Sequence, residues 1–181
     1  PQSTAKYAKH NRESFMVGAL ARVNINYDQL SDGAKGVAKL FGLKPTCYNP
    51  YLNSIAQLVE IVHSIDDSVR LIDELISSND YKYSKPEIQP AAGQGAAAIE
   101  VPRGILIHDY TYDQNGVCTE ANCIIPTNQN HANIQLDMEA LVPTMLDKPQ
   151  KDIELALEML VRAYDPCISC STHYLNVKFV D

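Results

Sequence analysis

Asp165-Pro166-Cys167-Ile168-Ser169-Cys170-Ser171-Thr172-His173 is the stretch on which the reading of this chain turns. Two of the five cysteines stand three positions apart, behind a helix-breaking Asp-Pro and three residues ahead of a histidine. Thiolates at this spacing can grip one metal ion or a close pair of metals. Upstream, Lys151–Tyr164 carries Ile153, Ala156, Leu157, Leu160 and Val161 at helical spacing. Because the residue before proline avoids helical geometry, Asp165-Pro166 should end that helix and deliver the cysteines at its C-terminal end.

Four readings of the pair are open. A structural zinc site wants four ligands, yet Cys47, Cys118, Cys123, His63 and His131 are scattered and supply no second cluster. A thioredoxin-like dithiol should follow a strand and open a helix, whereas this pair follows a helix. Unliganded core cysteines fit poorly with the serines and histidine around them. The fourth reading is half of a metal site, with soft thiolates suited to nickel and iron and the second pair of cysteines elsewhere.

Bulk properties bound the remaining classes. The 181 residues are 45% hydrophobic, enough for one domain with a real core. A formal net charge of −7 argues against nucleic acid, which needs a basic face. No run of eighteen apolar residues occurs, so no membrane span is expected. Pro1–Lys6 lack the apolar stretch and cleavage site of a signal peptide, and Pro1 stands where an initiator Met would, as in a processed chain or a piece of a longer one. The five cysteines then read as reduced thiols in a cytoplasmic protein, with Cys47, Cys118 and Cys123 as packing thiols.

Along the chain, Glu13–Asn24 reads as a buried helix or strand, with Gly18 suited to close backbone packing. Ser31-Asp32 should cap a short helix running towards Phe41 and stopped by Gly42. Asn49-Pro50 opens the clearest helix, with Ile55, Leu58, Val59, Val62, Ile65, Val69, Ile72 and Leu75 on one buried face. Residues 79–100, with Pro86, Pro90, Gly93 and Gly95, read as a loop passing close to something. Gly104–Tyr112 and Val117–Ile125 form a hairpin about Asp113–Gly116. A helix is expected around Ala132–Leu141, followed by a loop to Pro149. The tail Tyr174–Val180 alternates as an edge strand would. The expected fold class is α+β, mainly helical: long packed helices with a β-hairpin and short strands. Gly93-Gln94-Gly95 is no dinucleotide fingerprint.

Five segments, in one order, resemble the large subunit of nickel-iron hydrogenases. Ser14-Phe15-Met16-Val17-Gly18-Ala19-Leu20-Ala21-Arg22 is similar to that family's "VGPLAR" block, closest to the cytosolic, cofactor-coupled branch. Asn49-Pro50 with the helix after it, Glu100-Val101-Pro102-Arg103-Gly104, Ile125-Pro126-Thr127-Asn128-Gln129-Asn130 and the DPCxxCxxH string follow in family order. The resemblance covers nearly the whole chain and is most specific in the PRG and DPCxxC blocks. It implies a hydrogenase large-subunit-like fold. It also implies heterolytic cleavage or formation of H2 at a Ni-Fe centre with carbon monoxide and cyanide on the iron. Residues 1–181 would then be one C-terminal portion of the large-subunit domain, with the N-terminal portion and its CxxC outside this chain.

By the same resemblance Cys167 is a terminal nickel ligand and Cys170 bridges nickel to iron. His173 lies near a second metal, magnesium. Arg103 hangs over the metals, Pro102 shapes the pocket, and Thr127, after Pro126, bonds a cyanide. Asp165 is the acid beside the arginine. Plain alternatives stay open: a surface ion pair for Arg103, a turn threonine for Thr127, a helix-end cap for Asp165, a merely exposed or core histidine for His173. The implied partners are the N-terminal half of the large subunit, a small iron-sulfur subunit, electron-transfer subunits linked to NAD(P) or to the deazaflavin F420, and maturation proteins. Two rival classes remain, a non-catalytic relative of the kind found in respiratory complex I and a zinc- or thiol-binding module using the single CxxC. The former lacks the cysteines that this chain keeps.

Overall fold

A computed structural model describes residues 7–78, 84–87, 89–167 and 177–179. Three helices open the chain: α1 (Ala19–Asn26), α2 (Asp32–Leu40) and α3 (Asn53–Ser77). The open choice at Glu13–Asn24 falls to helix. The Ser31 hydroxyl accepts from the Ala34 amide at 3.2 Å, and Gly42 stops α2 in left-handed geometry at φ 69°, as its sequence foretold. Asn49 caps a 3-10 turn, Pro50–Leu52, which leads into α3. Small residues let the three helices approach closely: Ala19, Ala34, Ala38 and Ala56 are almost wholly buried, with Leu20, Val23 and Val59 filling between them.

An antiparallel sheet follows, with β1 (Gly93–Val101), β2 (Gly104–Tyr112) and β3 (Cys118–Ile124) in chain order. The hairpin at Asp113–Gly116 is found, with the Asp113 carboxylate accepting from the Asn115 and Val117 amides. The loop expected over residues 79–100 is corrected: its last part is β1, paired residue for residue with β2 from Gly93↔Tyr112 to Val101↔Gly104. Nor do Gly93 and Gly95 pass close to any described residue, since a Cβ on either would meet none of them within 4 Å.

Two helices complete the chain, α4 (Pro126–Leu141) and α5 (Gln150–Ala163). α4 starts at Pro126, six residues before the expected Ala132, because proline suits a first helical turn and Thr127, Asn128, Gln129 and Asn130 are buried in it. Ile134 of α4 packs with Leu160 and Tyr164 at the end of α5, and Met16 touches both this cluster and the core of α1–α3. Val177 lies against α5 through Gln150 and Glu154, and the described part of the tail is not in a strand.

Candidate metal-site pocket

The turn between β1 and β2 is Pro102-Arg103, closed by the Val101↔Gly104 pair. That turn is held from two sides. On one, the Arg22 guanidinium donates to the carbonyls of Val101 at 2.9 Å and Pro102 at 2.8 Å. Its remaining donors grip both carboxylate oxygens of Glu60, at 2.7 and 2.6 Å. Hydrogen bonding to Glu60 outweighs the cost of burial and raises the Arg22 pKa above its ordinary value. On the other side Gly18, at φ 116°, lies against the Arg103 carbonyl, where a Cβ would come within 3.1 Å. Gly104, at φ 150°, is equally constrained, because a Cβ there would run into Val17 and come within 3.0 Å of Pro126.

The turn presents Arg103 to the end of α5. Arg103 Nε pairs with Asp165 Oδ2 at 3.0 Å, and Gln57 Nε2 of α3 donates to the same oxygen at 2.9 Å. Asp165 takes a left-handed backbone, φ 49°, as the chain leaves α5. It is thus both the helix end and the acid beside the arginine. About half of the Arg103 side chain is exposed, and its terminal amino groups bond no described residue.

Thr127 enters from a third direction, in the first turn of α4. It is buried, and its Oγ1 accepts from the Cys167 amide at 3.1 Å. The hydroxyl keeps its own proton to donate. Thr127 stands in the first turn of α4, where the helix carries a partial positive charge. Pro126 and Thr127 therefore sit beside Cys167, itself half-buried. Cys170 and His173 lie outside the described residues.

Long-range side-chain bonds hold these segments in register. Asn53 accepts from the Leu20 amide at 3.1 Å and donates to the Ala163 carbonyl at 3.0 Å, joining α1 to the end of α5. Asn130 pairs with both backbone groups of Val17, at 2.8 and 3.2 Å. Gln129 donates to the Ile105 carbonyl at 2.6 Å, fixing α4 to the start of β2. Arg22, Gln57, Glu60, Gln129 and Asn130 all stand in the blocks that carry the resemblance, but their roles were not evident there. Gln57 and Glu60 read as the polar outer face of α3. The missed signal is that each buried amide serves a main-chain group far away in sequence, which no local pattern encodes.

An open cavity of about 900 Å³ runs between α1, α3 and the end of β1 and borders this place through Gln57, Glu60 and Pro102. Arg103, Thr127 and Cys167 are not in its wall. Among the described residues no three of His, Cys, Asp and Glu gather as a metal-ligand set. Cys118 and Cys123 are corrected from packing thiols to exposed ones on the sheet, while Cys47 does pack at the edge of the helical core.

The donor set fits a thiolate-held metal with anionic ligands in kind: a soft sulfur, a fixed guanidinium with free N–H groups, and a buried hydroxyl with a proton to give. The sequence profile of nickel-dependent hydrogenases matches residues 3–173. Sulfhydrogenase 1 subunit alpha of Pyrococcus furiosus is 36% identical over 177 residues, which cover 97% of this chain and 40% of that protein. The beta subunit of the NAD-reducing hydrogenase HoxS of Cupriavidus necator is 30% identical, over 90% of this chain and 35% of its own length. Among solved structures, an NAD+-reducing NiFe-hydrogenase in the H2-reduced state superposes with a TM-score of 0.67 at 26% identity, over 92% of this chain and 38% of the other. The chain thus spans about 40% of the length of these relatives. With the profile running through nearly every element that frames Arg103 and Cys167, this chain belongs to the nickel-dependent hydrogenase family.

Proposed function

We propose that residues 1–181 are the C-terminal portion of the catalytic large subunit of a cytoplasmic nickel-iron hydrogenase, and that Cys167, Arg103, Asp165 and Thr127 belong to its active site. The observation that carries this reading is their convergence. Three segments far apart in sequence bring a thiol, a guanidinium, a carboxylate and a hydroxyl to one place, in a chain of this family.

When bound, a Ni-Fe centre with carbon monoxide and cyanide ligands would supply a soft, redox-active site for splitting H2 heterolytically into a proton and a hydride, in all two protons and two electrons. Cys167 and Cys170 would hold it from this chain, with His173 near a magnesium ion. The chain's own residues do the rest. Cys167, as a thiolate, would take the proton released there, unless a glutamate of the N-terminal portion serves as that base. Arg103 sets a permanent positive charge over the site, and its free N–H groups bond an anionic ligand. Asp165 orients that guanidinium by pairing with Nε, and Gln57 in turn fixes Asp165. Thr127 steadies the Cys167 backbone, and its hydroxyl would donate to a second anionic ligand. Pro102 and Pro126 stiffen the turns that carry Arg103 and Thr127.

Two thiolates cannot complete such a centre, so the rest of the large subunit brings the others. A small iron-sulfur subunit accepts the electrons, NAD(P)- or F420-linked subunits receive them, and maturation proteins insert the metals. The test is an infrared spectrum of the natively purified assembly in the cyanide and carbon monoxide stretching region, with nickel and zinc content. Bands with nickel support the reading; zinc alone and no bands sinks it.

A further inference from the structure

Far from Cys167 in the sequence, the sheet carries a second thiol with partners of its own. The register of β2 and β3 sets His108 directly opposite Cys123, and Tyr110 follows on the same face. Cys123 Sγ lies 3.5 Å from His108 Nδ1 and 3.7 Å from the Tyr110 hydroxyl, which is itself 2.7 Å from the same ring nitrogen. The two rings stack with centroids 5.6 Å apart, which holds the imidazole in place. Cys123 is exposed. On the β1 side of this face the neighbours are Ala97 and Gly95, opposite His108 and Tyr110, too small to cover the cluster. The phenol is pushed above its ordinary range, first by its hydrogen bond to Cys123, so it stays a proton donor.

We infer that Cys123 is a nucleophilic thiol with His108 as its base, a modification site for peroxides and other soft electrophiles, separate from the thiols assigned to the metal. The thiol proton passes to His108 Nδ1. The new imidazolium N–H then bonds the Tyr110 oxygen, whose own proton points at the thiolate, so every group in the triangle has a partner. With hydrogen peroxide, the thiolate attacks one oxygen, the S–O bond forms and the O–O bond breaks. The departing hydroxide takes the proton from His108, giving a sulfenic acid and water. Cys118, five residues back on the same strand, stands about 16 Å away, beyond the roughly 7 Å between Cα atoms that a disulfide spans, so it cannot trap the sulfenic acid. A small thiol can convert that sulfenic acid to a mixed disulfide.

Cys118 is the control, since it is exposed on the same strand but its sulfur bonds only the Glu120 carbonyl among the described residues. An ordinary thiol is about 3% thiolate at pH 7, so a base can raise its reactivity by up to about thirtyfold. The natively purified protein would be treated with iodoacetamide at pH 7 and the alkylation rates of Cys123 and Cys118 followed by peptide mass spectrometry. Cys123 should react about tenfold faster, and His108→Gln should bring it down to the rate of Cys118. Peroxide followed by dimedone should tag Cys123. Equal rates in the unsubstituted protein, an unlabelled Cys123, or a His108→Gln protein that reacts as before would each overturn the proposal. The unsubstituted comparison stands even where the variant folds badly. Its outcome is independent of the nickel and infrared measurements.

Discussion

Arg103 meets Asp165 through Nε, which leaves the terminal amino groups of the guanidinium for another anion. Lysine keeps the charge but loses the planar fork, so it cannot serve carboxylate and ligand together. Arg103→Lys should leave nickel content unchanged and lower H2 turnover on the order of a hundredfold, the scale of losing one positioned electrostatic donor; unchanged turnover would remove Arg103 from the mechanism. Next to this pair, Tyr164 is buried and gives its hydroxyl proton to Asp137 Oδ2 at 2.5 Å, tying the end of α5 to α4. Burial first, then the Asp137 carboxylate, pushes the phenol above its ordinary range. A raised pKa keeps the neutral form in the fold. The stabilisation is therefore complete below the unfolded value of about 10 and is lost as pH climbs beyond it towards the folded value. Tyr164→Phe should cost about 1.5–3 kcal/mol at pH 8, the range for a hydrogen bond to a charged partner. In urea titrations the gap to the parent protein should narrow at pH 10.5, and a constant gap would refute the linkage.

Elements whose signals are local were legible from sequence. α2 has its Ser31 cap and Gly42 stop, β2 is a β-branched and aromatic run that the Asp-Gln-Asn-Gly turn folds back into β3, and α5 ends before Asp165-Pro166. β1 was not, because Gly93–Val101 is rich in glycine and alanine and becomes a strand only through its register with β2. The start of α4 was missed for a related reason. Asn128, Gln129 and Asn130 look like loop, yet Gln129 and Asn130 are satisfied by the backbones of Ile105 and Val17. The proposed site divides the same way: Arg103, Asp165, Thr127 and Cys167 stood in recognisable blocks, while Gln57, Glu60 and Arg22 gain their roles only from tertiary contacts. Gly18 tests how tightly these elements are coupled. Its positive φ strains any side chain, and a methyl group there would crowd the Arg103 carbonyl at 3.1 Å. Gly18→Ala should destabilise the protein by about 1–3 kcal/mol, read by chemical denaturation. Because the obstructing atom is backbone of the Arg103 turn, turnover should fall more than stability alone explains; a stability loss with normal turnover would uncouple α1 from that turn.

At the scale of the molecule, α3 is the anomaly. Its sequence calls for one buried face, but only its first half is covered: Ala56 and Val59 are wholly buried, while Ile65, Ile72 and Ile76 are 59%, 54% and 75% exposed. Leu58, Ile61, Ile65, Val69, Ile72 and Ile76 recur in steps of three and four, the seam by which one helix packs on another. An apolar stripe of this length in water marks an interface. The occupant proposed for it is a helical segment from the rest of the large subunit, for two reasons. This chain spans about 40% of its relatives, and the seam starts at the cavity bordering Gln57 and Pro102, so whatever covers it is led to the site. Asp66, Asp67, Asp73 and Glu74 flank the seam with Arg70 as the one described cation of its distal half, which favours a partner helix with basic edges. Ile65→Asp with Ile72→Asp leaves the buried half of α3 untouched, so the chain should still fold. Coexpressed with the remaining large-subunit portion, the parent chain should co-purify with it in a nickel-containing complex, and the double variant should not. A complex that survives both aspartates would mean that the two portions meet elsewhere. A parent chain that instead forms a dimer of itself, with no affinity for the companion portion, would assign the seam to a second copy.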